Sequence, residues 1–246
     1  MFRKLVFSIK KSLFKGVIFF SLACRYLLNF VVIHEVKSIP LERQRRALVS
    51  TVDYVERHMR HVDSVGSKNE LLNKAFKCAD LSGDRLICEF GVFMGASINH
   101  LAKMTEKRIF GFDSFEGLPE RWWDGMKQGA FAVPKLPKVR NNVILVKGLF
   151  HDTLPGFLKE HTGQVGFLHV DSDLYSSAKI IFELLESRLK SGTVIAFDEY
   201  FNYPEWENGE YQAFMEFLAK TGLTFEFIGY HRHAEQVAVI LKEKVN

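Results

Sequence analysis

Between residues 85 and 197, short apolar runs alternate with helix-patterned stretches, and this rhythm constrains the fold more than any other feature of the chain. The runs are 85–90, 108–112, 143–146, 165–170 and 193–197, and helix signals lie near 97–105, 154–161 and 175–190. Strand–helix–strand units of this kind pack as a parallel sheet, because a right-handed crossover helix returns the chain to the same edge orientation. Two further runs, 224–228 and 236–241, follow a helix over 210–221 and read as an antiparallel hairpin at one edge. The expectation is therefore five parallel strands plus a hairpin.

In an open parallel sheet the carboxyl ends of the strands line one crevice, so the residues at those ends carry the chemistry. The run ending at Val170 delivers Asp171 and Asp173, and the run ending at Phe197 delivers Asp198 and Glu199. Asp171 and Asp198 are 27 positions apart, the length of one crossover helix with its turns. Buried carboxylates in such a group are costly without a cation, and an oxygen set with no nearby His/Cys ligands suits Mg²⁺, Ca²⁺ or Mn²⁺ better than zinc. Asp173 precedes a helix and has a plain alternative as its N-cap. His169 shares a strand face with Asp171 and reads as a structural histidine.

The first strand leads into Glu89–x–Gly91–x–x–x–Gly95–x–Ser97, a turn in which missing Cβ atoms let backbone approach a ligand. The spacing differs from the GxGxxG of dinucleotide binding, and a tight strand-to-helix turn is the bland alternative. Asp113 closes the second strand, 22 residues after Gly91, and is placed to accept bonds from ribose hydroxyls.

A length of 246 residues suits one sizeable α/β domain with appendages. The segments read as 1–40, a basic amphipathic helical segment; 41–82, a helical cap; and 83–246, the main domain. Net charge is +4, but residues 1–46 carry +8 and the remainder −4, so the basicity is local. It lies in a hydrophobic segment rather than an Arg/aromatic surface module, which argues against a nucleic-acid partner. Cys24, Cys78 and Cys88 lack metal-ligand spacing and fit a reducing, cytoplasmic setting. Within residues 1–33, Phe2, Leu5, Val6, Ile9, Leu13, Val17 and Phe20 recur at helical spacing among Arg3, Lys4, Lys10, Lys11 and Lys15. Its longest uncharged run, residues 16–24, is too short to span a bilayer, and no small-x-small cleavage site follows. Two readings stay open with equal weight: peripheral contact with the inner face of a membrane, or packing on the domain or a sister subunit in a homo-oligomer.

The motifs Glu89–Phe–Gly91–Val–Phe–Met–Gly95–Ala–Ser97, Phe112–Asp113–Ser114–Phe115–Glu116–Gly117–Leu118–Pro119, Gly148–Leu–Phe150–His–Asp152–Thr153–Leu154–Pro155, His169–Val–Asp171–Ser–Asp173–Leu–Tyr175 and Phe197–Asp198–Glu199–Tyr200 resemble, in order, those of class I S-adenosylmethionine-dependent O-methyltransferases. Within that class the chain is similar to the macrocin O-methyltransferase family, which modifies sugar hydroxyls of macrolides and novobiocin-type compounds. The resemblance spans roughly residues 65–243. It implies an α/β, Rossmann-like, seven-stranded, mostly parallel sheet with its last strand antiparallel and helices on both faces, here with an N-terminal helical extension. It also implies S-adenosylmethionine at the first two strand ends, contacted by Glu89, Gly91, Gly95, Ser97, Asp113, Ser114, Phe115, Phe150 and Asp171. Mg²⁺ or another hard divalent cation would be held by Asp171, Asp198 and Glu199, with Asp173 as general base. The family usually has Asp–Asp where this chain has Asp198–Glu199. The implied acceptor is a hydroxyl of a small molecule or, given the N-terminal segment, a glycolipid.

A strand ending in Asp–x–Asp also fits a metal-dependent glycosyltransferase, although that reading leaves the Glu89–Gly95 turn unexplained. The segment between Pro119 and Asn142, with Trp122, Trp123 and Phe131, is long for a strand connection and reads either as a substrate lid or as a loop sealing the core edge.

Overall fold

The computed structural model describes residues 2–31, 37–123 and 125–244, and within the first helix the side chains of 16–30. The chain divides into two compact units, Met1–Arg46 and Ala47–Asn246. The first holds α1 (Phe2–Val31) and the opening of α2 (Ile39–His58). Pro40 sits in the first turn of α2, where a missing N–H costs no helical bond. In α1, Val17, Phe19, Phe20, Tyr26 and Leu27 are exposed. Among the described residues no helix is long and apolar enough to cross a membrane. Most of the basic residues expected to face a membrane fall at 2–15, outside the described side chains, and residues 32 and 33 of that segment lie outside the described residues altogether.

The second unit is built on one eight-stranded sheet of order β1-β7-β8-β6-β5-β2-β3-β4. Its strands are β1 (Ser64–Val65), β2 (Leu86–Phe90), β3 (Ile109–Asp113), β4 (Val143–Lys147), β5 (Val165–Val170), β6 (Val194–Phe197), β7 (Thr224–His231) and β8 (Val237–Lys242). Strands β6, β5, β2, β3 and β4 are mutually parallel, and β8 runs antiparallel to both β6 and β7. The seven expected strands are present with the last one reversed. The eighth, β1, is two residues long and pairs in parallel with β7. It is too short to leave a periodic signal, and it covers β7, so the hairpin read from sequence is not itself the sheet edge.

Period-2 alternation sends neighbouring strand residues to opposite faces. Cys88, Phe90, Phe112, Leu168 and Val170 join a core with α5 (Phe150–Glu160), α6 (Tyr175–Leu185) and α7 (Glu210–Thr221). Ile87, Ile109, Phe167 and Val194 join a second core with α3 (Lys68–Cys78) and α4 (Ala96–Leu101) on the other face. The second half of α2 belongs to this unit: Tyr54 and Tyr200 share a buried hydroxyl–hydroxyl bond of 2.9 Å, and Thr51 Oγ1 accepts the Asn202 N–H at 2.9 Å. The chain winds β2–β3–β4 outward and returns to place β5 on the other side of β2, so the strand order reverses between β2 and β5. A crevice opens outside the strand ends at such a reversal.

Candidate active site

That crevice encloses about 750 Å³ and is lined by residues from the ends of β2, β3, β5 and β6, the N-terminus of α3 and the 119–131 loop. Its floor depends on one backbone approach. Gly91 has φ +93°, and a Cβ there would lie 1.6 Å from the Asp171 carbonyl oxygen, so only glycine lets the β2 and β5 ends converge. The Asp171 N–H donates to the Phe90 carbonyl at 2.8 Å and ties the same two ends.

Asp113 organises the first turn. Its Oδ2 accepts the backbone N–H groups of Val92 (2.9 Å) and Phe93 (2.8 Å), and its Oδ1 accepts that of Phe115 (2.6 Å). Gly91, Ser97, Asp113, Ser114, Phe150 and Asp171 all line the crevice. Three of the expected cofactor residues do not. Glu89 is fully buried, with Oε1 accepting from Ser97 Oγ (2.9 Å) and Oε2 paired with His169 Nδ1 (2.9 Å), so it braces the turn from behind. Phe115 is buried in the α3/α4-side core, and Gly95 is the left-handed cap of α4 at φ +80°, outside the lining. Burial alone would push the His169 imidazole down, but the hydrogen bond and charge of Glu89 hold it above its ordinary value. His169 is thus a structural partner, in keeping with its reading from sequence.

The strand-end acids gather at the opposite side. Asp171 is raised to about 6 by burial, then by the Asp198 charge. Asp173 is raised to about 8 by burial, then by Asp171 and Asp198. Glu199 is pushed well up by burial and by the same two acids. Glu199 Oε2 is buried without a hydrogen-bond partner, an arrangement that favours either a proton or a cation. Asp173 caps no helix: the α6 N-cap is Leu174, with no side-chain capping bond. Instead Asp173 sits at φ +62°, in the left-handed region that Asp tolerates better than most residues.

Two residues here were not anticipated. Lys68, the first residue of α3 after its Ser67 cap, reaches Asp171 Oδ2 at 2.8 Å and Asp198 Oδ1 at 2.6 Å. Burial would lower the Lys68 ammonium, but the Asp171 and Asp198 charges hold it above its ordinary value and keep it protonated. Glu210, in the first turn of α7, is fully buried, and its Oε1 accepts both the N–H (2.9 Å) and the hydroxyl (3.0 Å) of Ser172. It fixes the loop between Asp171 and Asp173. A first-turn glutamate is ordinary helix chemistry, so no sequence signal sets Glu210 apart. A lysine beside an N-cap is the weaker choice there, and that mismatch was the available clue to Lys68.

Carboxylate and imidazole atoms approach closely enough to hold a metal in two groupings among the described residues: His169, Asp171 and Asp198, and Asp171, Asp173 and Glu199. The expected ligand trio of Asp171, Asp198 and Glu199 is divided between them. The buried, unpartnered Glu199 oxygen and the excess of acids over cations fit a hard divalent ion.

The 119–131 loop faces both the crevice and the core. Trp122 and Phe131 line the crevice, whereas Trp123 packs against the core and stacks on Tyr203 at 6.4 Å. Ser176 Oγ donates to Glu120 Oε1 at 2.5 Å, fastening the loop to α6.

Residues 88–200 match a family profile described as a methyltransferase domain. Over that stretch the chain is similar to this methyltransferase family. Its sequence is 32% identical to the 8-demethyl-8-(2,3-dimethoxy-α-L-rhamnosyl)-tetracenomycin-C 4'-O-methyltransferase of Streptomyces olivaceus, over 46% of this chain and 52% of that enzyme. The chain thus spans about half the length of the curated relative it matches. In fold, it is similar to the calicheamicin methyltransferase CalS11 (TM-score 0.58, 23% identity, 82% of this chain and 93% of that one). It is likewise similar to the O-methyltransferase NovP (TM-score 0.53, 21% identity, 72% and 80%). The stretch similar to methyltransferases contains the ends of β3, β5 and β6 around the acidic site.

Proposed function

We propose that the protein is an S-adenosylmethionine-dependent O-methyltransferase acting on a hydroxyl of a sugar or glycoconjugate. The observation that carries this reading is the pairing, in one crevice of a methyltransferase domain, of the Gly91–Asp113 turn with the acids at the ends of β5 and β6. The sugar class is supported by the tetracenomycin relative, which by its name methylates a rhamnosyl 4'-oxygen.

In this proposal Asp113, whose two oxygens retain lone pairs beyond their three backbone bonds, accepts the ribose hydroxyls of the donor. Gly91 lets the donor lie against backbone, and Phe150 supplies an aromatic wall. Asp173 takes the proton from the acceptor hydroxyl, and its position near 8 keeps it in the range where a carboxylate can act as a base around neutral to mildly alkaline pH. Glu210 and the left-handed turn hold that carboxylate over the crevice. A hard divalent cation, held by acids of the 171–199 cluster, would polarise the acceptor oxygen. Trp122 and Phe131 shield the reacting atoms from water and offer flat apolar faces to an acceptor. Orientation of oxygen, methyl carbon and sulfur in line accounts for most of the remaining acceleration.

The exposed apolar side chains of α1, set in a basic segment, support peripheral contact with an anionic membrane from the cytoplasmic side, which would favour a glycolipid acceptor. The test is a panel of sugars, glycosides and glycolipids incubated with the protein and S-adenosylmethionine, read by mass. The reading expects a gain of one methyl group on at least one sugar hydroxyl, lost in Asp173→Asn. Transfer only to non-hydroxyl atoms would contradict it.

A further inference from the structure

On the side of the crevice next to the acids, two neutral polar side chains have nothing to bond to. The Asn69 amide, beside Lys68 in the first turn of α3, and the Ser177 hydroxyl, in the first turn of α6, both line the crevice and bond to no other group among the described residues. Ser177 is 7% exposed, so its hydroxyl is a buried group left to meet whatever enters.

The 119–131 loop brings an aromatic ring and a carboxylate to the same place. Trp122 lines the crevice, and its two ring neighbours, Trp123 at 81° and Tyr203 at 60°, both meet it at steep angles, so neither stacks flat on it. Tyr203 ties this ring to the acidic side, because its hydroxyl lies 3.5 Å from the Glu199 carbonyl oxygen. Glu120 Oε1 accepts Ser176 Oγ at 2.5 Å, which fixes the loop to α6 directly after Asp173, and Glu120 Oε2 has no partner among the described residues.

The charge of the lining limits what can bind. Among its described residues Lys68 is the only Lys or Arg, and it is already paired with Asp171 (2.8 Å) and Asp198 (2.6 Å), so no uncommitted Lys or Arg is offered to a phosphate. What remains is a flat apolar ring with an amide, a hydroxyl and one carboxylate oxygen. A pyranose presents the matching surfaces: a face of C–H groups and a rim of hydroxyls that both donate and accept.

We propose that Trp122, Asn69, Ser177 and Glu120 form the subsite for the acceptor's sugar ring, which binds as an uncharged pyranose with its C–H face on Trp122 and its hydroxyls towards the other three. These four are then specificity-determining residues, separate from the acids that carry the chemistry. The proposal rests on the reading of the acceptor as a sugar and deepens it. Its test reads binding without donor, so an absence of methyl transfer leaves it standing, and its own failure leaves transfer to another hydroxyl acceptor standing.

The experiment titrates the full chain with the methyl glycosides of glucose, galactose, mannose and rhamnose, and with UDP-glucose and UDP-galactose, reading bound sugar by saturation-transfer difference NMR. The proteins are wild type, Trp122→Ala, Trp122→Phe, Asn69→Ala and Ser177→Ala, each checked for folding by circular dichroism. At least one methyl glycoside should bind wild type saturably, with more saturation on its ring protons than on its methoxy group. Trp122→Ala should weaken that binding by about tenfold or more and Trp122→Phe by less than about threefold, because a ring is kept. Asn69→Ala and Ser177→Ala should each weaken it by roughly threefold or more, and they decide the matter if Trp122→Ala does not fold. The UDP-sugars should bind at least about tenfold more weakly than the glycoside, since their diphosphate faces carboxylates. Wild type that binds none of the methyl glycosides would overturn the proposal. So would wild-type affinity in folded Trp122→Ala or in both polar variants, or tighter binding of a UDP-sugar than of every methyl glycoside.

Discussion

Asp173 is the residue at which backbone strain, burial and charge meet: φ +62°, a half-buried carboxyl, and Asp171 and Asp198 at the strand ends beside it. Its position near 8 and that of Asp171 near 6 both lie above the usual carboxylate value of about 4. The folded state therefore binds more protons than the unfolded chain across that interval. Stability from these groups is complete below the unfolded value and is lost as pH rises through 6 and then 8. Chelator-treated protein should accordingly melt lower at pH 8.5 than at pH 5.5, Asp173→Asn should flatten the upper part of that fall, and millimolar Mg²⁺ should reduce it. Thermal melts across this range check all three; a fall that is unchanged in Asp173→Asn would show that Asp173 ionises normally. At this scale the sequence exposes the acids because they terminate apolar strands, and it exposes Gly91 because the turn needs one. It hides Lys68 and Glu210, whose partners are 103 and 38 positions away and whose local context looks ordinary.

At the scale of elements, the five parallel strands were legible to within a residue because both faces of β2, β5 and β6 are buried, leaving continuous apolar runs, whereas β7 runs three residues beyond the expected 224–228. Helix boundaries were less so. The helix expected near 154–161 begins at Phe150 and runs through Pro155, a residue whose ring suggests a start rather than an interior. Strand β1 is fixed by pairing with β7 alone, a contact spanning more than 160 positions that no local pattern encodes. Helix α1 carries the element-scale prediction. With Val17, Phe19, Phe20 and Leu27 exposed, a variant lacking residues 1–33 should lose most of its co-sedimentation with vesicles containing anionic lipid and keep its binding of S-adenosylmethionine. Unchanged partitioning of the shortened chain would assign α1 to protein packing instead.

Across the whole molecule, the reversal of strand order between β2 and β5 brings the Gly91–Asp113 turn and an acidic cluster to one crevice of about 750 Å³, a volume in the range of small-molecule sites. Architecture of this kind is shared by many chemistries, so the crevice, not the sheet, carries the functional claim. The central claim is that this crevice is built for S-adenosylmethionine. Titration calorimetry of the full chain with S-adenosylmethionine, and in parallel with UDP-sugars plus Mn²⁺, tests it most directly. The account predicts saturable one-to-one binding of S-adenosylmethionine that is strongly weakened by Asp113→Ala, and no heat from the nucleotide sugars. Binding of a nucleotide sugar without binding of S-adenosylmethionine would contradict it.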